Sequence, residues 1–157
     1  MRMPIWLVLL SVIAASACNG APPAPPFKPM ADVKQLMQGA IDPNAFVIWD
    51  ATGTITTAHG VEERRPQNKA EWDAVRNAAI TLTESGNLLM MSPRARDGGE
   101  WMKRSQEMID QGFAAWKAAE AKDAATLFTI GGDLYEACSN CHRRYMDAST
   151  SSAPARL

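Results

Sequence analysis

The chain has 157 residues, long enough for one domain with a proper core once its ends are set aside. Its 16 basic and 17 acidic side chains give a net charge of −1. That balance leaves no basic surplus for nucleic acid or an acidic lipid surface, and steering by net charge is weak.

Arg2 gives a short positive start, Ile5 to Ala15 is an apolar run, and Ala15-Ser16-Ala17 supplies a small-residue cleavage site. Residues 1–17 therefore predict an export signal, too short and wrongly flanked for a spanning helix. Its removal takes Arg2 from the 16 basic residues and nothing from the 17 acidic ones, so the mature balance is about −2. Cys18 follows directly. The neighbourhood Ala15-Ser16-Ala17-Cys18 resembles a bacterial lipobox, whose cysteine is lipidated and becomes the mature N-terminus, although leucine is usual where Ala15 stands. A lone thiol is a liability in an oxidising compartment, which favours lipidation; ordinary cleavage near Cys18 is the other reading. Residues 18–29 are rich in proline and form an extended spacer rather than core, its stretch 19–29 reaching roughly 34 Å at about 3.1 Å per residue.

The folded part, residues 30–148, is dominated by helical periodicity, and no stretch alternates convincingly as a strand. A first helix is expected from about Ala31 to Ala51, bent at Asp42-Pro43, with Val33, Met37, Ala40, Ile41 and Ile48 inward. Thr52 to Pro66 reads as a long polar connection. A second helix, about Gln67 to Met91, carries the stripe Trp72, Val75, Ala79, Leu82, Gly86 and Leu89, and Ser92-Pro93 breaks it. The third starts after Asp97-Gly98-Gly99 and runs to about Lys122, with Met102, Ile109, Phe113 and Trp116 on one side. Asp123 caps the fourth, Ala124 to about Asp147, whose stripe is Leu127, Leu134, Cys138, Cys141 and Tyr145. Residues 149–157 read as a flexible tail. Four amphipathic helices, the last three joined by short connections, predict an all-α, antiparallel up-and-down four-helix bundle.

The fourth helix contains Cys138-Ser139-Asn140-Cys141-His142, a C-x-x-C-H run. This is the attachment pattern of covalent c-type haem. Two thiols three residues apart share a helix face and can add to the two vinyl groups of one porphyrin. His142, four after Cys138, projects from nearly the same face as proximal iron ligand. A redox dithiol would want a thiol at a helix N-terminus, and this motif comes late in its helix. A structural zinc site would want four ligands in two separated pairs, and His59 is the one other histidine.

A bundle with a single C-x-x-C-H on its last helix resembles the class II cytochromes c, the cytochrome c-prime family. The resemblance covers about residues 30–147 and includes the aromatic three residues after the histidine, Tyr145. The family often has Arg or Lys next; here Met146 stands there, with Arg143 and Arg144 nearby. The resemblance implies one haem c, attached after export, in the bacterial periplasm or tethered to a membrane by lipid at Cys18. It also implies a residue of the first helix over the distal face: a methionine gives a low-spin electron carrier, an apolar group a five-coordinate, gas-reactive iron. Met37 is the candidate sixth ligand, and core filling is its alternative. His59 is a weaker candidate. Trp72 or Trp101 is expected against the porphyrin, and Arg94 or Arg96 is offered for the propionates. The functional expectation is a carrier of single electrons between redox partner proteins of the envelope, not an enzyme, with pairing of two bundles left open. The alternative is a protein that binds or scavenges small gases such as nitric oxide or carbon monoxide.

Overall fold

The computed structural model describes residues 27–146. The export signal, Cys18, most of the proline-rich spacer and the C-terminal tail lie outside the described residues. Within them the protein is mostly helical, as expected of the all-α class. Four helices pack around one core, and no helix among the described residues is long and apolar enough to cross a membrane.

Helix α1 is built from three consecutive segments, an α turn Val33–Leu36, a π-helical turn Met37–Ile41 and an α segment Asp42–Ala51. Asp32 and Gln35 form a capping box at its start, with Asp32 Oδ1 accepting from Gln35 N at 2.7 Å and Gln35 Oε1 accepting from Asp32 N at 3.0 Å. The bend expected at Asp42-Pro43 takes the form of the π turn just before it. Pro43 has no N–H to donate and its ring crowds the preceding turn, so the helix widens: Asp42 N–H reaches back five residues to the Met37 carbonyl. Asn44 Nδ2 then donates to the Ala40 carbonyl at 2.7 Å. The extra residue explains why Leu36 and Ile41, five apart, are both buried, ahead of Ala45 and Ile48.

The connection after α1 is a β-hairpin, which the sequence reading missed. Strand β1, Gly53–Thr57, pairs antiparallel with β2, Gly60–Arg64, in the register Gly53↔Arg64 to Thr57↔Gly60. Gly60 takes φ 135°, a conformation that favours glycine, just after the two-residue turn. Nearly every hairpin side chain is exposed, so no in-and-out alternation of apolar residues could betray it.

Helix α2, Lys69–Met90, starts at Asn68, whose side chain accepts from Glu71 N at 3.0 Å. Its buried face includes the expected Trp72, Val75, Ala79, Leu82, Gly86 and Leu89. Helix α3, Glu100–Ala121, has Gly99 at its cap position, and Asp97 supplies the missing acceptor by taking N–H groups of Gly99 and Trp101 at 2.9 and 3.0 Å. Lys122 closes it in the left-handed conformation, φ 54°. Helix α4, Ala124–Tyr145, starts at Asp123, which accepts from Thr126 N at 3.0 Å.

The face of α3 is a correction. Phe113 is exposed, and Met102, Ile109 and Trp116 are only partly buried. The buried row is Trp101, Ser105, Met108, Gly112, Ala115 and Ala119, turned by one residue from the expected stripe. Small side chains win the inward position because α2 and α3 approach closely. A Cβ added at Gly86 would collide with Ile109 Cγ1, and one at Gly112 would meet Thr83 Oγ1 at 2.5 Å. Among the described residues the α2–α3 contact is the most extensive, α3–α4 is next, and α1 touches α4 only lightly.

Candidate functional site

Where α1 and α4 part, a cavity of about 630 Å³ opens between them. Trp49 of α1 closes one side of this gap by donating Nε1–H to the Gly131 carbonyl of α4 at 2.9 Å. The α4 wall carries Ala137, Cys138, Ser139, Cys141 and His142, with Tyr135 before them and Arg143 and Met146 after. The α1 wall carries Met37, Ile41, Asp42, Ala45 and Trp49, Leu89 contributes from α2, and Arg104, Ser105 and Met108 come from α3.

Helical geometry gathers the motif residues. Positions three and four apart lie over one another on a helix, and the face they share continues the buried row Leu127, Ile130, Leu134 and Ala137. The face is locked by that row, since burying one leucine contributes roughly 1.5–3 kcal/mol. Cys138, Cys141 and His142 are half-buried, so they project at the edge of the core into the cavity. Both thiols are free. Burial pushes the Cys138 thiol up to about 11, with Cys141 and Asp42 adding smaller repulsions. Burial also raises Cys141, against a pull from the Arg104 guanidinium. A dithiol built for disulfide exchange has its attacking thiol lowered, so these two are poor redox thiols.

Met37 lies across the cavity from the motif helix, on the π turn of α1. Such turns re-aim side chains locally and concentrate at functional sites. Met108 is buried, and its methyl sits where a Cβ on Gly86 would come within 3.3 Å, so that side chain is packed toward α2.

Other expectations do not survive. Trp72 and Trp101 do not line the cavity, whereas Trp49 does. Trp101 is a core residue that donates Nε1–H to the Leu89 carbonyl at 2.8 Å and packs edge-on against Tyr145. Arg94 is buried, with Nε donating to the Ala31 carbonyl at 2.9 Å and Nη1 to the Leu88 carbonyl at 3.3 Å; it ties the start of α1 to the end of α2. Arg96 lies over the Trp101 ring at 6.0 Å. His59 stands in the exposed hairpin turn, its N–H donating to Thr57 Oγ1 at 3.1 Å, and is not part of the cavity wall. The α3 contributors Arg104, Ser105 and Met108 were missed because the inward face of α3 was misjudged by one residue. The spacing Ser105, Met108, Gly112, Ala115, Ala119 alternates three and four and was the available signal.

The residues present fit a covalently held haem. Two free thiols at the required spacing, a histidine one position on, a methionine opposite and an apolar lining surround one cavity. Among the described residues no three His, Cys, Asp or Glu side chains converge to hold a bare metal ion. Comparison with known protein families, with curated proteins and with solved structures finds no match.

Proposed function

We propose that this protein is a monohaem cytochrome of the class II type, an antiparallel four-helix bundle that carries single electrons between redox partner proteins of the bacterial envelope. The observation that supports it is one cavity with Cys138, Cys141 and His142 on one wall and Met37 on another. When bound, haem supplies a one-electron ferric–ferrous couple. The chain's part is to hold and tune that couple. Cys138 and Cys141 would hold the haem covalently, each through one thioether bond to a vinyl group. His142 would supply the imidazole ligand and Met37 the thioether, a ligand type that favours ferrous iron and raises the potential. Periplasmic location, with a lipid tether at Cys18, belongs to the same proposal and rests on the sequence.

The test is expression in a host competent in c-type maturation. The protein should gain the mass of one haem, and its colour should stay with the polypeptide through acid–acetone extraction. Its ultraviolet–visible spectrum should be six-coordinate and low-spin in both oxidation states, and Met37→Ala should convert it to a high-spin form that binds carbon monoxide rapidly. Colour that extracts freely sinks the haem reading. A wild-type protein that is already five-coordinate and high-spin makes Met37 a core residue, and gas binding then replaces electron carriage.

A further inference from the structure

Arg104 is the cationic side chain that α3 brings to the cavity wall. Its Nη2 lies 3.1 Å from Glu100 Oε2, and its Nη1 donates to the two Glu107 carboxylate oxygens at 3.1 and 2.9 Å. Those partners occupy the outer nitrogens and leave Nε buried without an acceptor. It is the one buried side-chain nitrogen or oxygen without a partner among the described residues. Buried donors are ordinarily paired, so the arrangement lacks an acceptor on the inner side of the guanidinium. Glu100 is half exposed, and an exposed ion pair holds its partner weakly. Turning the guanidinium toward the cavity therefore exchanges a weak contact for the Nε and Nη2 fork, whose two parallel N–H groups match a carboxylate.

We infer that Arg104 anchors a haem propionate in the cavity, Nε and Nη2 donating to the two propionate oxygens. The inference rests on the haem reading above. A carboxylate drawn into a largely apolar cavity needs a partner. The other arginine of the wall, Arg143, is exposed and already donates to Asn140 on its own helix, and Asp42 on the α1 wall repels an anion. By compensating the propionate charge near the iron, Arg104 would favour the ferrous state.

The experiment compares haem-loaded wild type with Arg104→Gln, Arg104→Lys and Arg143→Gln. Mass first establishes that each carries one haem, and a wild type without haem overturns the underlying reading and this inference with it. Given haem, the propionate bending band in the resonance Raman spectrum should move in Arg104→Gln and stay in place in Arg143→Gln. The midpoint potential should fall in Arg104→Gln, and Arg104→Lys, which keeps the charge but not the fork, should recover part of that fall. If Arg104→Gln does not fold, Arg104→Lys still decides, because the loss of the fork alone should move the band. A band unmoved by either Arg104 substitution, or moved as far by Arg143→Gln, overturns the inference, even where the potential falls.

Discussion

Replacing Gly112 with alanine should destabilise the protein although alanine is the better helix former. A Cβ at Gly112 would lie 2.5 Å from Thr83 Oγ1, 3.2 Å from Thr83 N and 3.4 Å from the Ala79 carbonyl oxygen. The hydroxyl cannot simply rotate away, because it donates to the Ala79 carbonyl at 2.8 Å. The other two atoms are backbone of α2, so relief requires α2 and α3 to move apart across their largest interface. Overpacking of this kind costs about 1–3 kcal/mol, and loss of the Thr83 hydrogen bond about 1 kcal/mol more. The gain in helix propensity offsets about 1 kcal/mol. The net expectation is a loss of about 1–3 kcal/mol, which for a domain of this size lowers Tm by roughly 4–12 °C. Gly132→Ala is the internal control: Gly132 is an exposed α4 position where an added Cβ meets nothing within 4 Å, so the propensity gain should raise Tm. Thermal unfolding followed by far-ultraviolet circular dichroism measures both. A Gly112→Ala protein as stable as wild type would refute the close approach of α2 and α3.

Two further outcomes follow from other parts of the chain. Tyr145 OH donates to Asp97 Oδ2 at 2.6 Å; this bond and the Trp101 and Gly99 N–H groups hold the Asp97 carboxyl below its usual range, while the same bond raises Tyr145. The Asp97 contribution is present above the unfolded pKa of about 3.9 and is lost as pH falls through the lower folded value; the Tyr145 contribution is present below about 10 and is lost as pH rises through its higher folded value. Tyr145→Phe should therefore lower stability between those limits and flatten both flanks of the stability–pH curve, and an unaltered curve from chemical denaturation would remove the coupling. Cys18→Ser should release the protein from the membrane fraction or block its processing, and equal solubility of the two with an unmodified mature N-terminus would dismiss lipidation.

That Cys138, Cys141 and His142 share one face of α4 was legible in the sequence because helix geometry is local. The starts of α2 and α4 were legible for the same reason, since Asn68 and Asp123 cap through residues three positions on. The bend at Pro43 was visible as a missing donor, but its resolution as a π turn that sets the facing of Met37 depends on how the chain repacks around it. The hairpin stayed hidden because its stability does not come from a buried face, and its β-branched Thr54-Ile55-Thr56-Thr57 run was the one local hint. Tertiary structure alone decided that Arg104 and Trp49, rather than the arginines and tryptophans the sequence suggested, meet the cavity. Sequence periodicity ranks faces by size and apolarity, whereas the closeness of α2 and α3 selects the small residues of α3 for the seam. That choice turns Phe113 outward and brings Arg104, rather than Arg94 or Arg96, to the wall. Close packing between helices is a property of the pair, and no single stretch of sequence contains it.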